Sequence, residues 1–174
     1  MGSFEESQRI ESFFEGSEDG PDIEKYLHPF SGPTVVELAR TLLAKGISVR
    51  LRAKGTIMSP FIKPGDLLVL SPLGARSPSV GDVVIFVEPS THEPFTQRVI
   101  KMRENSYLLK GDSAKEPTGV VRGADILGFV TKVKRNGRRI LFGLGPERVL
   151  IAFLSRAGLF RRLYHSFRNY GGHL

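Results

Sequence analysis

Between residues 52 and 70 the chain reads RAKGTIMSPFIKPGDLLVL, and Gly55, Pro60, Pro64 and Gly65 interrupt it too often for a helix. Ile57 and Met58 are therefore expected in a constrained, exposed segment between two strands. The plain alternative is a strand-turn-strand connection with an apolar tip. Either way the surrounding chain must be short strands and turns, because period-two patterning sets in around this stretch. Ile47, Val49 and Leu51 alternate with Ser48, Arg50 and Arg52, as in a half-buried strand. Residues 67–70 and 83–87 are apolar runs that read as more fully buried strands. Residues 95–102 and 106–110 suggest an antiparallel pair turning at Glu104-Asn105. Residues 126–134 and 138–142 suggest another across Asn136-Gly137. The fold class expected is mostly β within α+β: a compact, coiled antiparallel domain over residues 47–145.

Four motifs follow one another in a fixed order. Gly55-Thr56-Ile57-Met58-Ser59-Pro60 leads to Gly65-Asp66; then come Gly81-Asp82 with the strand after it, Gln97-Arg98-Val99, and Gly111-Asp112-Ser113. Over about residues 47–134 this order resembles the catalytic domain of type I signal peptidases and the LexA-like self-cleaving repressors. That resemblance implies the mostly-β fold of those peptidases. It places the nucleophile at Ile57 and the base at Gln97, with Thr56, Met58, Ser59, Pro60, Arg98 and Asp112 around the substrate site.

The chemistry implied needs a hydroxyl that attacks and an amine or imidazole within hydrogen-bond reach to take its proton. Isoleucine has no heteroatom and a glutamine amide is not basic near neutrality, so neither half of the dyad is present. The segment after Asp112 also departs from the pattern, with Thr118 near where another aspartate is expected. Thr56 and Ser59 carry hydroxyls, but in an extended segment they would point away from Ile57. Lys54, Lys101 and Lys110 are the candidate replacement bases.

Upstream, residues 1–30 hold eight acids against Arg9 and Lys25, the opposite of a secretory leader, and are expected to form an acidic flexible arm. Residues 9–14 could make a short amphipathic turn, and residues 16–21 read as linker. The arm could fold onto the basic tail or a partner. Residues 31–46 predict an amphipathic helix, with capping-box spacing from Thr34 to Glu37, a stripe of Val35, Leu38, Leu42 and Leu43, and Gly46 to end it. It is too short and charged to span a bilayer. A lid on the β-domain is its first reading and a partner-binding helix the second.

Residues 130–174 carry ten Lys or Arg against Glu147 alone. Residues 146–174 predict a basic amphipathic helix and tail, with Val149, Leu150, Phe153, Ala157, Phe160, Leu163, Tyr164 and Phe167 on its apolar side. That side could meet an anionic membrane over residues 146–170, or it could pack on the β-domain or a second copy. Nucleic acid ranks third, because no reading module accompanies the charge.

No cysteine is present, and His28, His92, His165 and His173 lack ligand spacing, so no metal or cofactor is expected. Asp66, Asp82 and Asp112 follow glycines and read as caps on turn amides. The expected protein is a catalytically degenerate peptidase-like domain that binds an extended peptide or protein segment. It is expected in the cytoplasm, at most peripheral to the inner membrane face. Two alternatives stand beside it: an active serine peptidase with its nucleophile substituted or moved to Ser59 or Thr56, and a membrane- or nucleic-acid-binding adaptor.

Overall fold

The computed structural model describes residues 19–23 and 32–157. The expected turn at residues 9–14, and the helical stripe beyond Ala157, lie outside the described residues, as do His28, His165 and His173.

The elements bounded among the described residues are, in order, helix α1 (Gly32–Ala44), β1 (Val49–Arg52), β2 (Leu67–Ser71), β3 (Val83–Val87), β4 (Pro94–Arg103) and β5 (Ser106–Lys110). Strand β6 (Gly119–Arg122), a 3-10 turn (Gly123–Asp125), β7 (Ile126–Arg135), β8 (Arg138–Ile140) and α2 (Arg148–Arg156) complete the order. Among the described residues eight strands form one sheet: seven run in the order β1-β2-β7-β3-β4-β5-β6 and β8 pairs with β7 off that path, every strand pairing being antiparallel, which gives a mostly β, α+β protein.

The ten-residue β7 is the spine of the sheet. It pairs with β2 along one edge, and with β3 and then β8 along the other. The hairpin from β7 to β8 turns on Asn136 (φ 50°) and Gly137 (φ 77°), two positive φ values that match the right-handed twist of the flanking strands. Strand β3 is buried on both faces, which explains its unbroken apolar run. Val83, Ile85 and Val87 enter the core beneath α1, whereas Val84 and Phe86 join Tyr107, Leu109 and Phe129 on the other side.

Helix α1 buries Val36, Ala39, Leu42 and Leu43 in the first of these cores, so it lies on the β-domain. It begins at Gly32, two residues before Thr34, so Thr34 sits inside the helix and the capping box does not form. Its end is as expected. Gly46 (φ 81°) follows the last turn, its N–H donates to Leu43 O at 3.0 Å, and the N–H of Ile47 donates to Leu42 O at 3.0 Å.

One further expectation gives way, and packing of the α2 apolar stripe on the β-domain, one of the readings left open, is not what the fold adopts. Residues 19–23 are docked and not a free linker: Arg50 N–H donates to Pro21 O at 2.8 Å, Ile23 is fully buried, and Asp19 lies 2.5 Å from both Lys132 and Lys134. Only glycine fits at position 20, where a Cβ would stand 1.8 Å from Ser48 O. In α2 the side facing the protein is Ile151, Ala152 and Ser155, whereas Val149, Leu150, Phe153 and Ala157 face outward. The small Ala152 and Ser155 let the helix backbone come close enough for buried Lys110 Nζ to donate to Ser155 O at 2.7 Å. A lysine ammonium at the carboxyl end of a helix also meets the favourable end of its dipole. Among the described residues no helix is long and apolar enough to cross a membrane.

Candidate functional site

The segment carrying Ile57 is a chain of tight turns and not an extended strand. Ser59 N–H donates to Thr56 O at 3.0 Å and Ile62 N–H to Met58 O at 3.0 Å, with Gly55 (φ 70°) and Gly65 (φ 85°) bending the chain at either end. The alternation expected for Thr56, Ile57 and Ser59 therefore does not apply. Met58 and Ser59 are buried, Thr56 and Pro60 are exposed, and Ile57 is half-buried on the edge of the first core.

This turn is held from the far end of β5. Ser113 N–H donates to Ile57 O at 2.9 Å, and Ser113 Oγ donates to the carbonyls of Thr56 and Ile57 at 3.1 Å each. Gly111 lies so close that a Cβ there would meet Ile57 O at 2.7 Å and Ile57 Cβ at 2.9 Å. Glycine at 111 is thus a packing requirement of the Ile57 turn.

Gln97 sits in β4, buried, one residue before Arg98, which pairs in register with Lys110. Its Nε2 donates to Thr118 Oγ1, and its Oε1 has no hydrogen-bond partner among the described residues. Ile57 and Gln97 therefore flank the same strand end, residues 110–113, but each side chain is engaged separately. Gln97 reaches for Thr118, the position where the motif pattern led us to expect an aspartate.

Arg98 and Asp112 are framework and not contact residues. Arg98 Nε and Nη2 donate to the two Asp112 oxygens at 2.7 Å each, and Nη1 donates to the carbonyls of Gly81 and Gly143 at 2.9 Å. Both side chains are fully enclosed. Burial pushes the Asp112 carboxyl above its ordinary range, and Arg98, then Lys110, pull it back. The other two aspartates are spent on turns as expected. Asp66 Oδ2 accepts from Lys63 N–H at 2.8 Å and Asp82 Oδ2 from Ser79 N–H at 2.9 Å, with Arg135 and Arg76 respectively on the outer side.

Beside Ile57 opens a cavity of about 310 Å³ that the residue patterns did not indicate. Leu51, Leu68, Ile85 and Ile57 form its apolar floor, Val35 of α1 closes one side, and Arg52, Lys54 and Gly55 make one wall and Glu93–Thr96 a second. The second wall is a strand edge. Register with β3 covers Pro94 to Arg98, but register with β5 begins only at Arg98, so, among the described residues, 94–97 have a paired strand on one side alone. Val99 bonds to the β3 side through Gly81 and Asp82. By antiparallel alternation, the N–H and C=O of Thr96 then point the other way, to the uncovered edge. The overhang of β4 past the end of β5 is the signal in the sequence: the strand has ten residues and its partner five.

No protein-family model, curated protein or solved structure matches this chain. The likeness to signal peptidases and LexA-like repressors accordingly rests on the four sequence motifs.

Proposed function

We propose that this protein is a catalytically inert peptidase-like domain, with the signal peptidase and LexA type of coiled sheet, that binds an extended peptide or protein segment in the cavity beside Ile57. The observation carrying this reading is the uncovered edge at Thr96 alongside an apolar cavity. A strand laid against that edge gains main-chain hydrogen bonds from Thr96 and places alternate side chains into the space floored by Leu51, Leu68 and Ile85. A cavity of about 310 Å³ suits one or two small or branched apolar side chains.

Ile57 then supplies surface where a peptidase would supply a hydroxyl. The relocated dyad has weak support. Ser59 is buried within its turn, and Lys110 has its amine on Ser155 O, with α2 packed over it. Lys101 is exposed on the outer half of β4.

A fluorescent, uncharged peptide of alternating small apolar residues should bind with saturable anisotropy and emerge uncleaved by mass spectrometry. Thr96→Glu, at the register partner of Ile85 and so on the cavity face of the strand, should weaken binding at least about tenfold. Equal affinity in that variant would move the site elsewhere, and cleavage by the unaltered chain would replace binding with catalysis.

A further inference from the structure

Among the described residues, five of the eight large apolar side chains left exposed lie on either side of one turn. Leu141 and Phe142, just after β8, are 73% and 62% exposed; Leu150 and Phe153 of α2 are 61% and 64% exposed, with Val149 beside them. The turn between the two groups is fixed. Glu147 Oε1 accepts the N–H of Gly143 at 2.6 Å and of Gly145 at 3.0 Å, and the Phe142 ring packs 5.5 Å from that of buried Phe61. The inner side of α2 is anchored by Ile151 and Ala152, so the outward position of Phe153 is set by packing.

Along this stretch of chain the charge is nearly all of one sign, and the neighbouring Asp82 is engaged by Arg76 and Arg148. Arg138, Arg139 and Arg156 are exposed, and between Phe129 and Ala157 the single acid is Glu147, whose carboxylate is held by the two backbone N–H groups. The chain continuing from α2, residues 158–174, adds Arg161, Arg162 and Arg168 without an acid.

We infer that the outer face of α2, with Leu141 and Phe142, is a docking surface for an anionic lipid membrane. Apolar side chains level with a basic rim suit a headgroup boundary, where the side chains enter the acyl region and the arginines meet lipid phosphates. A second copy fits less well, because a two-fold contact would set these arginines against their own counterparts with no acid to meet them. With nine residues α2 is about 14 Å long, enough to lie on a bilayer and not to cross it.

Flotation of the full chain with vesicles tests this. Vesicles of phosphatidylcholine with about one-third phosphatidylglycerol should carry the protein up the gradient, pure phosphatidylcholine should carry much less, and raised salt should release it. The double variant Leu150→Glu/Phe153→Glu, at two exposed positions, should keep its circular dichroism and melting profile and lose at least about tenfold in bound fraction. Flotation undiminished in the variant overturns the proposal, as does equal flotation with neutral vesicles. So does a dimer in light scattering that the variant dissolves while neither protein floats, which would assign the face to a second copy.

Discussion

Arg98 and Asp112 form a two-pronged ion pair at 2.7 Å from which water is wholly excluded, and the remaining guanidinium nitrogen ties the carbonyl of Gly81 to that of Gly143. One side chain thus joins β4, the end of β5, the turn before β3 and the entry to α2. Truncating it leaves the Asp112 carboxyl buried without the two donors that hold it. Arg98→Ala should therefore cost about 3–5 kcal/mol in urea unfolding. The paired replacement Arg98→Met/Asp112→Leu should cost less than the single change, because no buried carboxyl is stranded. A double-mutant cycle showing simple additivity would remove this account of the pair.

The peptide edge makes a sharper prediction. Thr96 directs its N–H away from β3, so Thr96→Pro removes a donor from the proposed binding edge without taking a rung from the β3–β4 ladder. Peptide affinity should fall about tenfold, roughly the worth of one such hydrogen bond, while the unfolding midpoint barely moves. Isothermal titration and thermal melts of the same preparation separate the two effects. A large stability loss would mean that Thr96 bonds inward after all.

Much of this architecture could be read from residue order. Strands β3 and β5 have the bounds expected of them, and Asn136-Gly137 makes the expected turn, because an unbroken apolar run and two positive-φ residues are local signals. Strand β6 escaped notice because its four residues follow Pro117 and Thr118 and it pairs only with β5. Which face of α2 turns inward was illegible for a different reason. Periodicity gives the spacing of an apolar stripe but not whether large or small residues face the protein, and here the buried Lys110 draws the Ala152 and Ser155 side inward. At the site, motif order located the Ile57 turn. That Arg98 and Asp112 would bond to each other, and that β4 would overhang β5, follow from register between distant strands.

Chemistry at Ile57 can be probed by restoring what is missing, one half at a time. Ile57→Ser introduces a hydroxyl, but the base position of the motif holds the amide of Gln97, already donating to Thr118 Oγ1. An amide cannot take the proton, so the variant should leave a small-residue peptide as intact as the unaltered chain does. The comparison is read by mass spectrometry after prolonged incubation. Rapid cleavage by Ile57→Ser alone would reveal a base elsewhere, with Lys110 the first to test by Lys110→Met.

Docking of residues 19–23 should depend on acid in a direction the structure fixes. Hydrogen bonds from Lys132 and Lys134 hold the Asp19 carboxyl below its ordinary range, with burial opposing them. A carboxylate held low in the folded state contributes stability that is present above its unfolded pKa, about 3.9, and is lost as the pH falls through the folded value. Amide exchange around Ile23 and Arg50 should therefore stay slow at neutral pH and quicken below about pH 4. Asp19→Asn should abolish that change and cost about 1 kcal/mol, a modest figure because both lysines remain about a third exposed. Gly20→Ala should release the same segment at every pH, since its methyl would stand 1.8 Å from Ser48 O. Acid-quickened exchange that persists in Asp19→Asn would assign the effect to global unfolding and not to this contact.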